Sequence, residues 1–154
     1  MITYGKGNIV EWDAHALVNP VNCAGVMESG LNKRFKDAFG PNYYNHYNSF
    51  CDGWLKVGKA LPWYIKRNAK APNTRVVINL AVKDKPDDKC NIESIRKSIN
   101  GLVDWLSTYL EYKTVAIPDL SGGELPWREV KAAMIEELRE LPCRNYILFE
   151  PKGH

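Results

Sequence analysis

The segment from Ala16 to Leu31, Ala-Leu-Val-Asn-Pro-Val-Asn-Cys-Ala-Gly-Val-Met-Glu-Ser-Gly-Leu, limits the fold more than any other part of the chain. Its first half reads as a buried apolar strand that ends in polar residues. Its second half is a glycine-bearing turn leading into a helix. In α/β proteins the crevice at the carboxyl end of such a strand is where ligands sit. Glycines let backbone N–H groups approach an anion, and the N-terminus of the following helix favours negative charge. These residues alone predict a site for a phosphorylated small molecule.

The rest of the chain supplies the layers around that strand. Ile2 to Tyr4 reads as a short edge strand, ended by a tight turn at Gly5-Lys6-Gly7. Pro20 removes a ladder donor from the 16–22 strand, so an edge or a bulge is expected there. Ser29 can cap a helix over 30–39 with Leu31, Phe35 and Ala38 facing inward, and Gly40-Pro41 stops it. A second helix over 42–51 carries Tyr43, Tyr44, Tyr47 and Phe50, an aromatic stripe read as packing. Segments 58–65 and 75–82 read as strands, the latter so continuously apolar that both its faces are expected to be covered. Asn91 caps a long helix whose stripe runs Ile92, Ile95, Ile99, Leu102, Val103, Leu106 and Leu110. A strand over 114–118 precedes the loop Asp119 to Leu125. Pro126 opens a last helix with Trp127, Val130, Met134, Leu138 and Leu141 inward, and 144–149 closes the sheet. Alternating strands and helices predict an α/β fold with three α/β/α layers, its central sheet mixed, partly parallel and of about six strands. No boundary divides residues 1–154.

Composition narrows function mainly by exclusion. A net charge of +3 suits an anionic ligand but is too small to argue for nucleic-acid binding. Cys23, Cys51, Cys90 and Cys143 are scattered without a CxxC pair, which favours reduced thiols and a cytoplasmic setting. His15, His46 and His154 have no metal-ligand spacing, so no metal is expected. The start lacks a signal-peptide run and no stretch is long enough to span a membrane, so no membrane association is expected. A Gly-x-Gly-x-x-Gly fingerprint is missing after the first strand, which argues against a dinucleotide-dependent dehydrogenase.

Three pieces in order, Ile2 to Ile9, Ala16 to Gly30 and Ile117-Pro118 to Trp127, together resemble the macrodomain family, whose members bind ADP-ribose. Within it the chain is similar to the branch holding terminal ADP-ribose glycohydrolases and DNA ADP-ribosyl hydrolase antitoxins, and to ADP-ribose-1″-phosphate phosphatases. Asn22-Cys23-Ala24-Gly25-Val26-Met27, and Lys83 closing Leu80-Ala81-Val82-Lys83, carry that likeness. The resemblance implies that Asn8 and the backbone of Ile9 read the adenine. Asn22 would bond the distal ribose, which Gly25, Val26, Met27 and Ser29 would line. Ser121, Gly122, Gly123, Glu124 and Leu125 would wrap the phosphates. Lys83 would attack the anomeric carbon of the distal ribose, forming a Schiff base with the opened sugar. No cofactor is implied. The implied partner is ADP-ribose, free or attached to a nucleic acid or protein.

A catalytic amine needs a carboxylate to move protons. The similar hydrolases carry an aspartate after a Gly-x-Gly-Leu run, whereas this chain has a shorter loop reading Ser121-Gly122-Gly123-Glu124. Glu124 is the nearest substitute; its alternative role is to complement a helix dipole. Glu28 stands where the family often has glycine and is the other candidate. Asp119 is expected to be structural. Three activities therefore stay open: hydrolysis of ADP-ribosyl linkages, dephosphorylation of ADP-ribose-1″-phosphate, and ADP-ribose binding without turnover.

Overall fold

The computed structural model describes residues 1–66 and 69–153; His154, one of the histidines weighed above, lies outside them. In chain order the elements are β1 (Ile2–Gly5), a 3-10 turn (Ile9–Glu11), β2 (Ala16–Asn22), α1 (Gly30–Phe39), α2 (Pro41–Phe50), β3 (Ala60–Tyr64), β4 (Val76–Lys83), α3 (Ile92–Thr108), β5 (Thr114–Ile117), α4 (Trp127–Leu138) and β6 (Asn145–Phe149). The strands form one sheet in the order β1-β6-β5-β2-β4-β3. Every pairing is parallel except β3 with β4, which makes the sheet mixed as expected.

The two faces follow from the period of two along each strand. Val76, Ile78, Leu80 and Val82 of β4 join Ile95, Ile99, Leu102, Val130 and Met134 in one layer with α3 and α4. Val77 and Ala81 point the other way, into a layer with Phe35, Tyr43 and Tyr47 of α1 and α2. β4 is thus covered on both faces. Each face is completed by helices whose apolar stripes match it.

Pro20 does not mark an edge, because β2 lies in the middle of the sheet. β5 pairs with β2 only at Ala16 and Leu17, so Pro20 falls where one side of β2 is already unpaired. The expected irregularity follows at once: Val21 pairs with Ala81 and Asn22 with Lys83, leaving Val82 as a bulge. Ala38 is exposed rather than inward, since α1 ends before its stripe reaches a neighbour there. Leu110 lies past the end of α3 and is 62% exposed. Ser29 occupies the N-cap position of α1 without a side-chain capping bond, whereas the Asn91 side chain accepts from the Ser94 N–H as expected. Pro126 is the N-cap of α4 rather than its first residue. No helix among the described residues is long and apolar enough to cross a membrane.

One buried charge helps hold the frame. Arg144 is 1% exposed, and its guanidinium donates to the carbonyls of Leu106 (2.8 Å) and Tyr109 (3.3 Å). It thereby joins the Tyr109 N–H, which also donates to the Leu106 carbonyl, in closing the end of α3. Arg144→Ala is expected to lower unfolding free energy by about 3 kcal/mol, because it removes these buried hydrogen bonds and opens a void. The exposed Arg139→Ala change should cost less than about 0.5 kcal/mol. Urea denaturation of both variants checks the contrast.

Candidate functional site

The connections set the position of the site. From β2 the chain leaves towards β3 and β4; from β5 it leaves towards β6 on the other side. The carboxyl ends of β2 and β5 therefore form the switch point of the sheet. Because these strands part after Leu17, a crevice opens between the loop after β2 and the loop after β5.

The loop after β2 is built on Asn22. Its Oδ1 accepts from the N–H groups of Ala24 (3.0 Å) and Val26 (3.2 Å), and its Nδ2 donates to the Val26 carbonyl (2.8 Å). The buried Tyr47 hydroxyl donates to the Asn22 carbonyl at 2.7 Å and reaches Oδ1 at 3.0 Å. Burial pushes this hydroxyl's pKa up, so it remains a donor. Gly25 has φ +83°, and a Cβ there would run into Asn48 of α2; both facts require glycine. Tyr44 donates to the Gly25 carbonyl at 2.6 Å. The aromatic stripe of α2 does pack, but its hydroxyls also shape this loop. No spacing in the sequence pairs Tyr44 and Tyr47 with Gly25 and Asn22.

The loop after β5 is built on Asp119. Its carboxylate accepts from Ser121 N–H (2.9 Å), Ser121 Oγ (2.8 Å) and Gly123 N–H (3.1 Å). Gly122 and Gly123 take φ of +61° and +87° to close this turn. The Gly122 N–H donates to the Asp119 carbonyl and the Glu124 N–H to the Ser121 carbonyl, each at 3.2 Å. The N–H groups expected to face phosphates are thus engaged within the loop itself.

Lys83 and Glu124 meet where the two loops converge. Lys83 Nζ donates to Glu124 Oε2 at 2.6 Å, and Glu124 Oε1 accepts from the Cys90 N–H at 3.3 Å. The Cys23 N–H donates to the carbonyls of Lys83 (3.1 Å) and Asp84 (2.9 Å), which ties the first loop to the end of β4. The lysine side chain is 18% exposed and the glutamate 38%. The hydrogen bond from Lys83 holds the Glu124 carboxyl below the usual carboxylate range, helped by the Cys90 N–H and opposed by partial burial. The pair's stabilisation is therefore complete above the ordinary carboxylate pKa and lost as pH falls through the lowered one. Exposure keeps it small.

An inner hollow of about 290 Å³ has Asn22, Val26, Glu28, Lys83, Ser121 and Glu124 on its walls, with Ser29 beside them. An outer hollow of about 990 Å³ is lined by Gly7, Ile9, Arg34, Gly123, Phe149 and neighbours. Leu31, Asp119 and Gly122 border both, so the two form one groove. Other expected residues lie off it. Met27 is 1% exposed in the core, and Gly25 backs onto α2. Asn8 lines a hollow that shares Arg34 with the outer one, and its Oδ1 caps the 3-10 turn by accepting from Val10 N–H at 3.3 Å. Leu125 lines a hollow that shares Asp119 and Gly123 with the outer one. Among the described residues no group of three or more His, Cys, Asp or Glu could hold a metal.

The Macro domain profile matches residues 18–134. A protein of Mycobacterium tuberculosis called DNA ADP-ribosyl glycohydrolase is 29% identical over 99% of this chain, and one of the same name from Thermus aquaticus is 29% identical over 98%. This chain spans 43% and 41% of those proteins, so it corresponds to less than half of either. The macrodomain of Thermus aquaticus DarG superposes with a TM-score of 0.86 at 31% identity, covering 98% of this chain and 99% of that one. The macrodomain of Mycobacterium tuberculosis DarG gives 0.88 at 28% identity, covering 99% of each. With the profile running from within β2 through both loops and into α4, the chain belongs to the Macro domain family.

Proposed function

We propose that this chain hydrolyses the bond between ADP-ribose and a nucleobase of DNA, with Lys83 as nucleophile and Glu124 as its proton partner. The observation that carries the reading is the Lys83–Glu124 pair, 2.6 Å apart at the inner end of a groove walled by two glycine loops. The relatives named DNA ADP-ribosyl glycohydrolase supply the acceptor class.

The groove suits ADP-ribose by size and division. Its outer hollow, flanked by Ile9 and Phe149, offers apolar walls to an adenosine. The narrow stretch at Leu31 and Gly122 takes the pyrophosphate, beside the N-terminus of α1. The inner hollow takes the distal ribose, with the remaining amide hydrogen of Asn22 available to a hydroxyl. Glu28, on the wall of that hollow, faces the acceptor side.

The proton inventory closes with one carboxylate. Glu124 accepts the hydrogen bond of Lys83 Nζ and is therefore the carboxylate placed to take its proton. The free amine attacks the anomeric carbon as the glycosidic bond breaks, and Glu124 returns the proton to the departing base. The resulting glycosylamine opens its ring, the ring oxygen taking a proton, and leaves a Schiff base between the anomeric carbon and Lys83. Addition of water reverses that bond, freeing ADP-ribose and the amine. No phosphoryl transfer is needed, and the pair offers no hydroxyl nucleophile to a phosphate.

Lys83→Arg keeps the charge but cannot be deprotonated. It is expected to retain ADP-ribose binding and to release no ADP-ribose from an ADP-ribosylated oligonucleotide. Glu124→Gln should lower the rate by about 10²- to 10⁴-fold. Borohydride added during turnover should trap ADP-ribose on Lys83, seen as a mass increase on the peptide that contains it. An active Lys83→Arg enzyme, or a trapped adduct elsewhere, contradicts the proposal. ADP-ribose binding with no turnover by the unaltered chain leaves a binding module.

A further inference from the structure

Net charge is too small to mark a nucleic-acid surface, but one turn brings an exposed tryptophan and lysines together. Between α2 and β3 the chain reads Cys51-Asp52-Gly53-Trp54-Leu55-Lys56-Val57-Gly58-Lys59. Trp54 is 43% exposed, unlike the aromatics that build the core. It stands edge-on to Phe50 with ring centroids 5.4 Å apart, and Phe50 lies 5.0 Å from the His46 ring. Lys59 Nζ sits 5.2 Å from the centre of the Trp54 ring. Lys56 and Lys97 are exposed nearby, against the single acid Asp52 in the turn.

This surface is preformed. Leu55, 3% exposed, anchors the turn, and its N–H donates to the Phe50 carbonyl at 2.8 Å. Gly58 takes φ +95°, and a Cβ on Gly101 of α3 would collide with its carbonyl, so turn and helix touch through two glycines. Gly58 N–H donates to the Ala81 carbonyl at 2.9 Å, and Ala81 N–H donates to the Lys59 carbonyl at 3.0 Å. Ala81 precedes Lys83 by two positions on β4, about 7 Å of strand. On the same rim Cys51 lies against Gly25 of the first loop. The aromatic turn therefore lies on the same rim of the sheet as the inner hollow, beyond the residues that line it.

We propose that Trp54, backed by half-buried Phe50 and flanked by Lys56 and Lys59, is the platform on which the single strand flanking an ADP-ribosylated base stacks. An aromatic face takes any base, and neighbouring lysines track phosphates, the combination that binds single strands without reading sequence. The platform rests on the DNA substrate proposed above, and the test separates the two.

KM for an ADP-ribosylated single-stranded oligonucleotide is measured across salt concentrations, alongside Kd for free ADP-ribose and turnover of an ADP-ribosylated mononucleoside. Trp54→Ala should raise the oligonucleotide KM about tenfold, Trp54→Phe should restore most of it, and the Lys56→Glu/Lys59→Glu pair should flatten its salt dependence. ADP-ribose affinity and mononucleoside turnover should stay unchanged throughout. Normal oligonucleotide KM in Trp54→Ala, or an equal loss on the mononucleoside, overturns the platform while leaving the DNA substrate intact. Turnover by the unaltered chain of ADP-ribosylated protein but not DNA overturns both.

Discussion

The parting of β2 from β5 after Leu17 is the constraint on which the rest of this structure depends. Had the two strands stayed paired to their ends, the loops that follow them would close over a continuous sheet edge. Instead β2 continues with β4 alone to Asn22 and Lys83, and β5 turns away at Ile117. The space so opened is flanked by glycine turns, one on each side. Pro20 belongs to this design: a residue without an N–H lies where β2 has no β5 neighbour.

Each wall of the crevice is held by a polar side chain, buried Asn22 on one side and half-buried Asp119 on the other. Asn22 organises one loop and Asp119 the other, each through its own local backbone. α2 reinforces the first with tyrosine hydroxyls. A further tyrosine, Tyr43, links Asn19 and Asn79, which are register partners on β2 and β4 directly beneath the site. The Tyr43 hydroxyl pairs with Asn19 Nδ2 and Asn79 Oδ1 and so ties together the two strands that carry Asn22 and Lys83, while Asn19 Oδ1 and Asn79 Nδ2 find no partner among the described residues. The bulge at Val82 then sets the lysine's backbone beside Cys23, from which its side chain reaches Glu124.

The layers were legible in the chain because they rest on local periodicity. The uninterrupted apolar run of β4, the stripe of α3 with its Asn91 cap, and the Gly40-Pro41 break are signals carried by neighbouring residues. So were the glycine turns and, through family likeness, Lys83 and Glu124 as residues of interest. Which carboxylate meets Lys83, Glu124 or Glu28, stayed open in the sequence, because the contact joins positions 41 apart through a loop whose register depends on Asp119. The role of Tyr44 and Tyr47 was not legible, since packing and hydrogen bonding leave the same stripe on a helix. The side-chain carbonyl of Asn8 caps the 3-10 turn by accepting from the Val10 N–H, a local role that the sequence reading did not include. Ala38 and Leu110 fit a helical period yet lie outside the packed region, because a stripe buries only where another element meets it.

The most direct test of the account is the structure of this chain with ADP-ribose bound. The account predicts the pyrophosphate between Leu31 and Gly122, and the distal ribose in the inner hollow. Its anomeric carbon should lie about 3–3.5 Å from Lys83 Nζ, the separation from which attack proceeds. A distal ribose directed away from Lys83, or a ligand held outside the crevice between β2 and β5, would contradict it.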